Sequence, residues 1–588
     1  MIRNMSTTSI VYYVLTIIMS DIIDKNLFLD TSTIYKLSLT SKEMKDIFYN
    51  LPIQICLNKN DNAIFDSLNN ATINYCIVSL DLRSLQSDKF KKILGVQGLC
   101  TSLTELNLSK NYYFKIEDVK ILLEVPVPWS LLIKLDLSKN NIGPKGTEII
   151  SQKFAEFNNL QLTHLNLSDN GIKSEGVISL SRFINHCINL KELDLSCNHI
   201  QKEAAERLAS AFTECTKLTN LNLSYNRLET KGTQIVINAI RKFSTLTHLN
   251  LCNNLCNNFC IDFEGEDSLR KLTHLNLSGN YIGSEGAKML SRMLANNEVL
   301  TYLNLYANNI GTEGTESLTR AILFNLTHLD LSLNNIRSEG ATSLAEMLKQ
   351  CDKPLLSHLN LATNRLGSKG AIKLVSELEK CPSLTYLNFS GIQLGLEGAK
   401  GLSRMFSQNN PILSYLNLSY NKIGPKGAAS IAKMISNCTL LKHLHLKSNG
   451  FGPKGVKSLL PMIKKCSLLF ELDLSNNDIR SEGVKSLVPI IENCSLSKLV
   501  LSNNDIRSEG AIYLAEIKWK NLLHLDLACN SIEQKGGESI IKMLRECRTL
   551  LNLEFYGNNF SDNEALFRLA GEDFCSHIIR ANVYRRIV

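Results

Sequence analysis

The chain has 588 residues, 44% of them apolar and 20% charged, with a formal net charge of +8. So long a chain is too large for one small core, and its apolar content is sufficient to pack. The slight basic excess, with no arginine- or lysine-rich block, excludes the dense electrostatic footprint of a nucleic-acid-binding protein.

Residues 1–58 read as a helical N-terminal region. Ile10 to Met19 is an apolar run of about ten residues, whereas a membrane-spanning helix needs roughly 20. Ser20-Asp21 follows where a signal peptide would show a small-x-small cleavage site, so a buried helix is expected and no membrane segment. Short helices are expected over 21–23, 27–29 and 33–47, the last with Ile34, Leu37, Ser41 and Met44 on one face. Leu29, Ile34, Leu37, Leu39 and Thr40-Ser41-Lys42 give this segment a pattern that resembles an F-box. It departs from that family at Ser20-Asp21-Ile22-Ile23, where Leu-Pro-x-Glu is usual, and at Met44, where tryptophan is usual. The resemblance implies docking on the Skp-type adaptor of a cullin ubiquitin ligase, with Leu29, Ile34, Leu37 and Leu39 as adaptor-binding residues. The plainer alternative is a helical cap that shields the open core of the first repeat.

Residues 59–99 read as a linker and degenerate capping repeat, in which Leu80-Asp81-Leu82 keeps strand spacing and Leu85 stands for the usual asparagine. From 100 to 560 one unit recurs, clearest in Leu162-Thr163-His164-Leu165-Asn166-Leu167-Ser168-Asp169-Asn170-Gly171-Ile172 followed by Ser174-Glu175-Gly176. Aligned on the asparagine, the rungs fall at Asn111, Asn140, Asn170, Asn198, Asn226, Asn254, Asn280, Asn308, Asn334 and Asn364. They continue at Ile392 (the one replacement), Asn421, Asn449, Asn477, Asn504, Asn530 and Asn558. The period is about 28 residues. Leucines alternate with polar residues at period two, which predicts a short strand. The asparagine sits at the turn, where its amide can satisfy unpaired backbone groups. In Ile282-Gly283-Ser284-Glu285-Gly286 the second glycine lets a helix start close against the sheet, and apolar residues three and four apart predict that helix. Residues 561–588 read as a C-terminal helical cap.

The L-x-x-L-x-L-x-x-N-x-I-x-x-E-G unit resembles the ribonuclease-inhibitor-like class of leucine-rich repeat. That resemblance implies an α/β solenoid, an open horseshoe with parallel strands on its concave side and helices on its convex side. Ribonuclease inhibitors, the sensor ends of nucleotide-binding immune receptors and Ran GTPase-activating proteins share it, and it implies macromolecular binding along the inner face.

The residue before the second leucine points into that face: His274, Tyr302, His328, His358, Tyr386, Tyr415 and His443 in the middle third, with Tyr306 one strand position further on. Between the leucines runs a row of Asn and Asp. Tyrosines anchor interfaces at low entropic cost, so these eight residues are the candidate protein-binding site. The alternative is a duplicated unit whose side chains are merely solvated. Eight of the eleven histidines lie on this face, and Cys252, Cys256 and Cys260 occupy a repeat without the I-G-x-E-G sequence. Neither set has familiar ligand spacing, so no metal and no cofactor is assigned.

Cys100, Cys187, Cys215, Cys381, Cys466 and Cys547 each precede a repeat's first leucine by three residues, which predicts buried thiols closing helix ends. An odd total of 17 suits a reducing, cytoplasmic setting. Asn107, Asn166, Asn222, Asn276 and Asn417 begin Asn-Leu-Ser on predicted strands, where glycans would crowd the face. The phosphate-binding loop of nucleotide-binding proteins is missing, as are nucleophile-elbow, zinc-protease and kinase signatures. The expectation is therefore a monomeric protein-binding module and not an enzyme, serving as a substrate-recognition adaptor of a ubiquitin ligase. The alternatives are a stand-alone inhibitor or scaffold and a Ran-type GTPase activator.

Overall fold

The computed structural model describes residues 53–56, 77–83 and 102–566, apart from 126, 158–159, 242, 258–268, 322–324, 352, 405–411, 492–494, 548 and 563–565. Leu29, Ile34, Leu37, Leu39, the run 10–19, Cys100, Cys260 and the tail 567–588 lie outside the described residues.

The chain divides into two compact units, 1–254 and 255–588. The boundary falls in a repeat that lacks the I-G-x-E-G sequence.

The first unit carries β1 (Ile53–Cys56), β2 (Ile77–Asp81), β3 (Glu105–Asn107), β4 (Lys134–Asp136), β5 (His164–Asn166), β6 (Glu192–Asp194), β7 (Asn220–Asn222) and β8 (His248–Asn250). They pair in chain order, all parallel. β1 corrects the helical reading at 53–56, the part of 1–58 that is described. Its Ile-Gln-Ile-Cys alternates at period two, outside the helical face of 34–47. β2 holds Leu80 opposite Leu106 of β3.

The second unit carries β9 (His274–Asn276), β10 (Tyr302–Asn304), β11 (His328–Asp330), β12 (His358–Asn360), β13 (Tyr386–Asn388) and β14 (Tyr415–Asn417). β15 (His443–His445), β16 (Glu471–Asp473), β17 (Lys498–Val500), β18 (His524–Asp526) and β19 (Asn552–Glu554) complete it. These too pair in order and in parallel, leucine opposite leucine, as in Leu275–Leu303–Leu329. A helix follows nearly every strand, for example Gly283–Leu294 after β9 and Gly311–Ala321 after β10. The leucines and the apolar helix faces form one continuous core within each unit.

The buried asparagines bind neighbouring turns to one another. In the rung of Asn308, Nδ2 donates to Leu305 O (3.1 Å) in its own turn and to Leu277 O (2.9 Å) in the previous one. Its Oδ1 accepts from the previous rung's Asn280 N–H (3.0 Å) and Ile282 N–H (3.3 Å). The same contacts recur from rung to rung. At Ile392 there is no amide to continue them.

The turn itself is strained. The residues just before and just after the asparagine adopt left-handed backbone in many rungs, as Ala307 (φ 55°) and Asn309 (φ 52°) do. Gly311 (φ 67°), opening the next helix, gives the first glycine of the repeat its purpose. The second glycine makes room: a Cβ on Gly314 would meet Ile310 Cγ2 at 2.6 Å, Ala287 Cβ at 2.9 Å and Ser284 Cα at 3.1 Å.

Candidate functional site

Each x-Leu-x strand buries its leucine and leaves its two flanking residues half-exposed on the sheet surface. In the second unit the first flanking position builds an unbroken column of rings. Centroid separations are 5.6 Å for His274–Tyr302, 5.8 Å for Tyr302–His328, 4.1 Å for His328–His358 and 5.4 Å for His358–Tyr386. They are 4.2 Å for Tyr386–Tyr415 and 6.1 Å for Tyr415–His443. Four of these six pairs lie within 18° of parallel. The spacing follows from the sheet, since parallel neighbours in register bring equivalent side chains about 5 Å apart.

Hydroxyls fix the imidazoles. Thr273 Oγ1 stands 2.9 Å from His274 Nδ1, Thr327 Oγ1 2.8 Å from His328 Nδ1 and Ser357 Oγ 2.9 Å from His358 Nδ1. Burial lowers the pKa of His328, helped by the neighbouring His358, and burial likewise lowers that of His358. Both rings are therefore neutral at pH 7. Burial, then Tyr415, pushes the Tyr386 phenol up to about 12, so it stays protonated.

Seven of the eight residues singled out in the sequence thus stand in one column. Tyr306, the eighth, projects from the position after Leu305 and is 42% exposed. Two rings that the periodicity did not single out extend the column: His445 lies 5.2 Å from Tyr415, and Phe470 5.8 Å from His443. Phe470 stands where Thr or Ser precedes the inner-face position in every rung from Thr219 to Ser414, and an aromatic residue at that position was the available signal. Past His443 the surface becomes ionic. Glu471 accepts from Lys498 Nζ (2.7 Å) and meets His443 Nδ1 (3.0 Å).

The second flanking position has a structural half. Asn276 Oδ1 accepts Ser278 N–H (3.1 Å), Asn304 Oδ1 accepts Tyr306 N–H (3.0 Å) and Asn417 Oδ1 accepts Ser419 N–H (2.9 Å). Asp does the same work: Asp330 Oδ1 accepts Ser332 N–H at 2.9 Å. Ser278 Oγ also donates to Asn276 Oδ1 (2.8 Å), so Asn-Leu-Ser recurs because it closes the strand end. The equivalent wall of the first unit holds a salt bridge instead, Lys134 with Glu105 (2.7 Å), and brings His164 Nε2 to 3.5 Å from Glu192.

Among the described residues no group of three or more His, Cys, Asp or Glu is arranged to hold a metal ion. Stacked imidazoles place ring faces, not nitrogens, toward each other. Among the described residues no helix is long and apolar enough to cross a membrane.

A family model described as Leucine Rich repeat matches fourteen segments: 130–148, 158–181, 186–209, 214–234, 268–291, 296–318, 323–345, 353–375, 380–403, 409–432, 437–460, 465–488, 492–515 and 520–540. Together they make up more than half of the chain. No curated protein matches. Among solved structures, an LRR protein of Leptospira interrogans is similar at 20% identity, with 87% of this chain and 97% of that one covered and a TM-score of 0.33.

Proposed function

Since the chain belongs to the leucine-rich repeat family, we propose that it binds another protein, and that the partner docks on the strand surface of the second unit between His274 and His443. The observation that carries this is the ring column: seven contiguous half-exposed aromatic and imidazole side chains, preorganised by stacking and by hydroxyl contacts. Rings already ordered lose little entropy on docking, which is how a few such residues come to dominate an interface. A photo-crosslinking residue at Tyr306 should capture a partner from the source cells. Tyr302→Ala with Tyr386→Ala and Tyr415→Ala should abolish that capture while leaving the far-UV spectrum unchanged. An unaltered capture profile would sink the proposal.

A finer reading, supported by the F-box-like pattern at Leu29, Ile34, Leu37 and Leu39, makes the protein a substrate-recognition adaptor of a cullin-type ubiquitin ligase. Co-purification with a Skp-type adaptor, lost when Leu29, Ile34 and Leu37 become Asp, tests it. Absence of that adaptor from the full-length protein removes the reading.

A further inference from the structure

We infer that the segment bound on the ring column is acidic: its Asp and Glu carboxylates accept hydrogen bonds from a row of unoccupied donors beside the rings. The inference rests on the protein-binding reading above and adds the partner's chemistry.

Amide orientation is the first observation. A backbone N–H can only donate, so the atom of Asn276, Asn304 and Asn417 facing Ser278, Tyr306 and Ser419 is the carbonyl oxygen. Each Nδ2 is then turned away from the strand end, and it has no protein partner among the described residues. The Tyr302 hydroxyl is likewise without one. Donors that could be satisfied only by water or by a ligand thus repeat along one wall.

Residue choice is the second. Asp closes the strand end as well as Asn does, as Asp136, Asp194, Asp330 and Asp473 show with Ser N–H contacts of 2.8–2.9 Å. The turn therefore does not require asparagine. From β9 to β14 the flanking positions nevertheless hold Asn276, Asn304, Asn360, Asn388 and Asn417 against a single acid, Asp330. That acid is already engaged. Its Oδ1 accepts from Ser332 N–H and O–H, and its Oδ2 accepts from Asn360 Nδ2 (2.9 Å).

Ring geometry is the third. Guanidinium or ammonium groups bind the negative faces of aromatic rings. Here the faces are covered by one another at 4.1–5.6 Å in the parallel pairs, and the Tyr386 phenol is hydrogen-bonded to Tyr415 and Asn388, so a partner meets the electropositive ring edges and the Tyr302 hydroxyl. Edges, amides and that hydroxyl all favour an acceptor that carries negative charge.

The test uses the full chain and three fluorescein-labelled peptides of about 12 residues, alternating serine with Glu, Gln or Lys. The Glu peptide should bind at least tenfold more tightly than the other two. Asn276→Asp, Asn304→Asp and Asn417→Asp together should weaken it at least tenfold with the unfolding midpoint unchanged, because the chain already tolerates Asp at equivalent positions. Tighter binding of the Lys or Gln peptide, lost in Tyr386→Ala with Tyr415→Ala, leaves the binding face standing and overturns the acidic partner. No binding of the Glu peptide to about 1 mM, or full binding by the triple variant, overturns it too.

Discussion

At the scale of single residues, the decisive group is the carboxamide of the repeat asparagine. It makes up to five hydrogen bonds while almost wholly excluded from water: Asn308 donates to Leu277, Leu305 and Tyr306 carbonyls and accepts from two N–H groups. Leucine there would orphan two buried N–H groups and carbonyls besides, each costing about 1–3 kcal/mol. Asn308→Leu should therefore lower the stability of the second unit by more than about 2 kcal/mol, measured by urea unfolding. Ile392 is the control. It is fully buried, and the N–H groups of Asn364 and Leu366, which an asparagine there would cap, have no side-chain acceptor among the described residues. Ile392→Asn regains those contacts while losing aliphatic burial, so it should shift stability by less than about 1 kcal/mol. A loss as large as that of Asn308→Leu would refute this account.

At the scale of one strand–turn–helix element, the turn's backbone explains both glycines. Gly314→Ala should cost about 1–3 kcal/mol, since its Cβ would press on the backbone and side chains of two rungs. Arg337 is the opposite case. It holds φ 60° at the position where Gly311 holds φ 67°, and Arg337→Gly should stabilise by roughly 0.5–1 kcal/mol in thermal unfolding. No gain would show that the turn bears no strain there. Much of this element is legible in the sequence. Leucine periodicity announces the strands, the asparagine announces the turn, and thiols such as Cys187 and Cys215 are buried at the predicted helix ends. The first glycine was not explained that way, because φ > 0 leaves no periodic mark. β1 was misread because a four-residue strand offers too short a pattern beside apolar helical residues. The ring column was visible as residue types, but stacking angles and the direction in which each Asn amide points depend on partners a repeat away.

At the scale of the whole molecule, proton linkage gives a solution signature. His328 and His358 titrate below the usual imidazole value of 6.5 when folded. On acidification the unfolded chain takes up those protons first, so stability falls from about pH 6.5 downward until the folded rings are protonated as well. Replacing both with Gln should flatten that part of the curve, read as urea midpoints between about pH 7 and about pH 5. A curve unchanged in the double variant would place the dependence elsewhere. The asparagine contacts also give the solenoid a direction. The Oδ1 of one rung holds N–H groups of the rung before it, whereas its Nδ2 retains a carbonyl within its own turn even alone. Peeling a terminal rung from the C-terminal side of a unit takes the side-chain acceptor from two N–H groups of its neighbour; peeling from the N-terminal side takes one carbonyl from the next asparagine's Nδ2, which keeps another in its own turn. Unzipping is therefore anisotropic, and amide exchange within each unit should run ahead from the leading edge while the trailing edge acts as the latch.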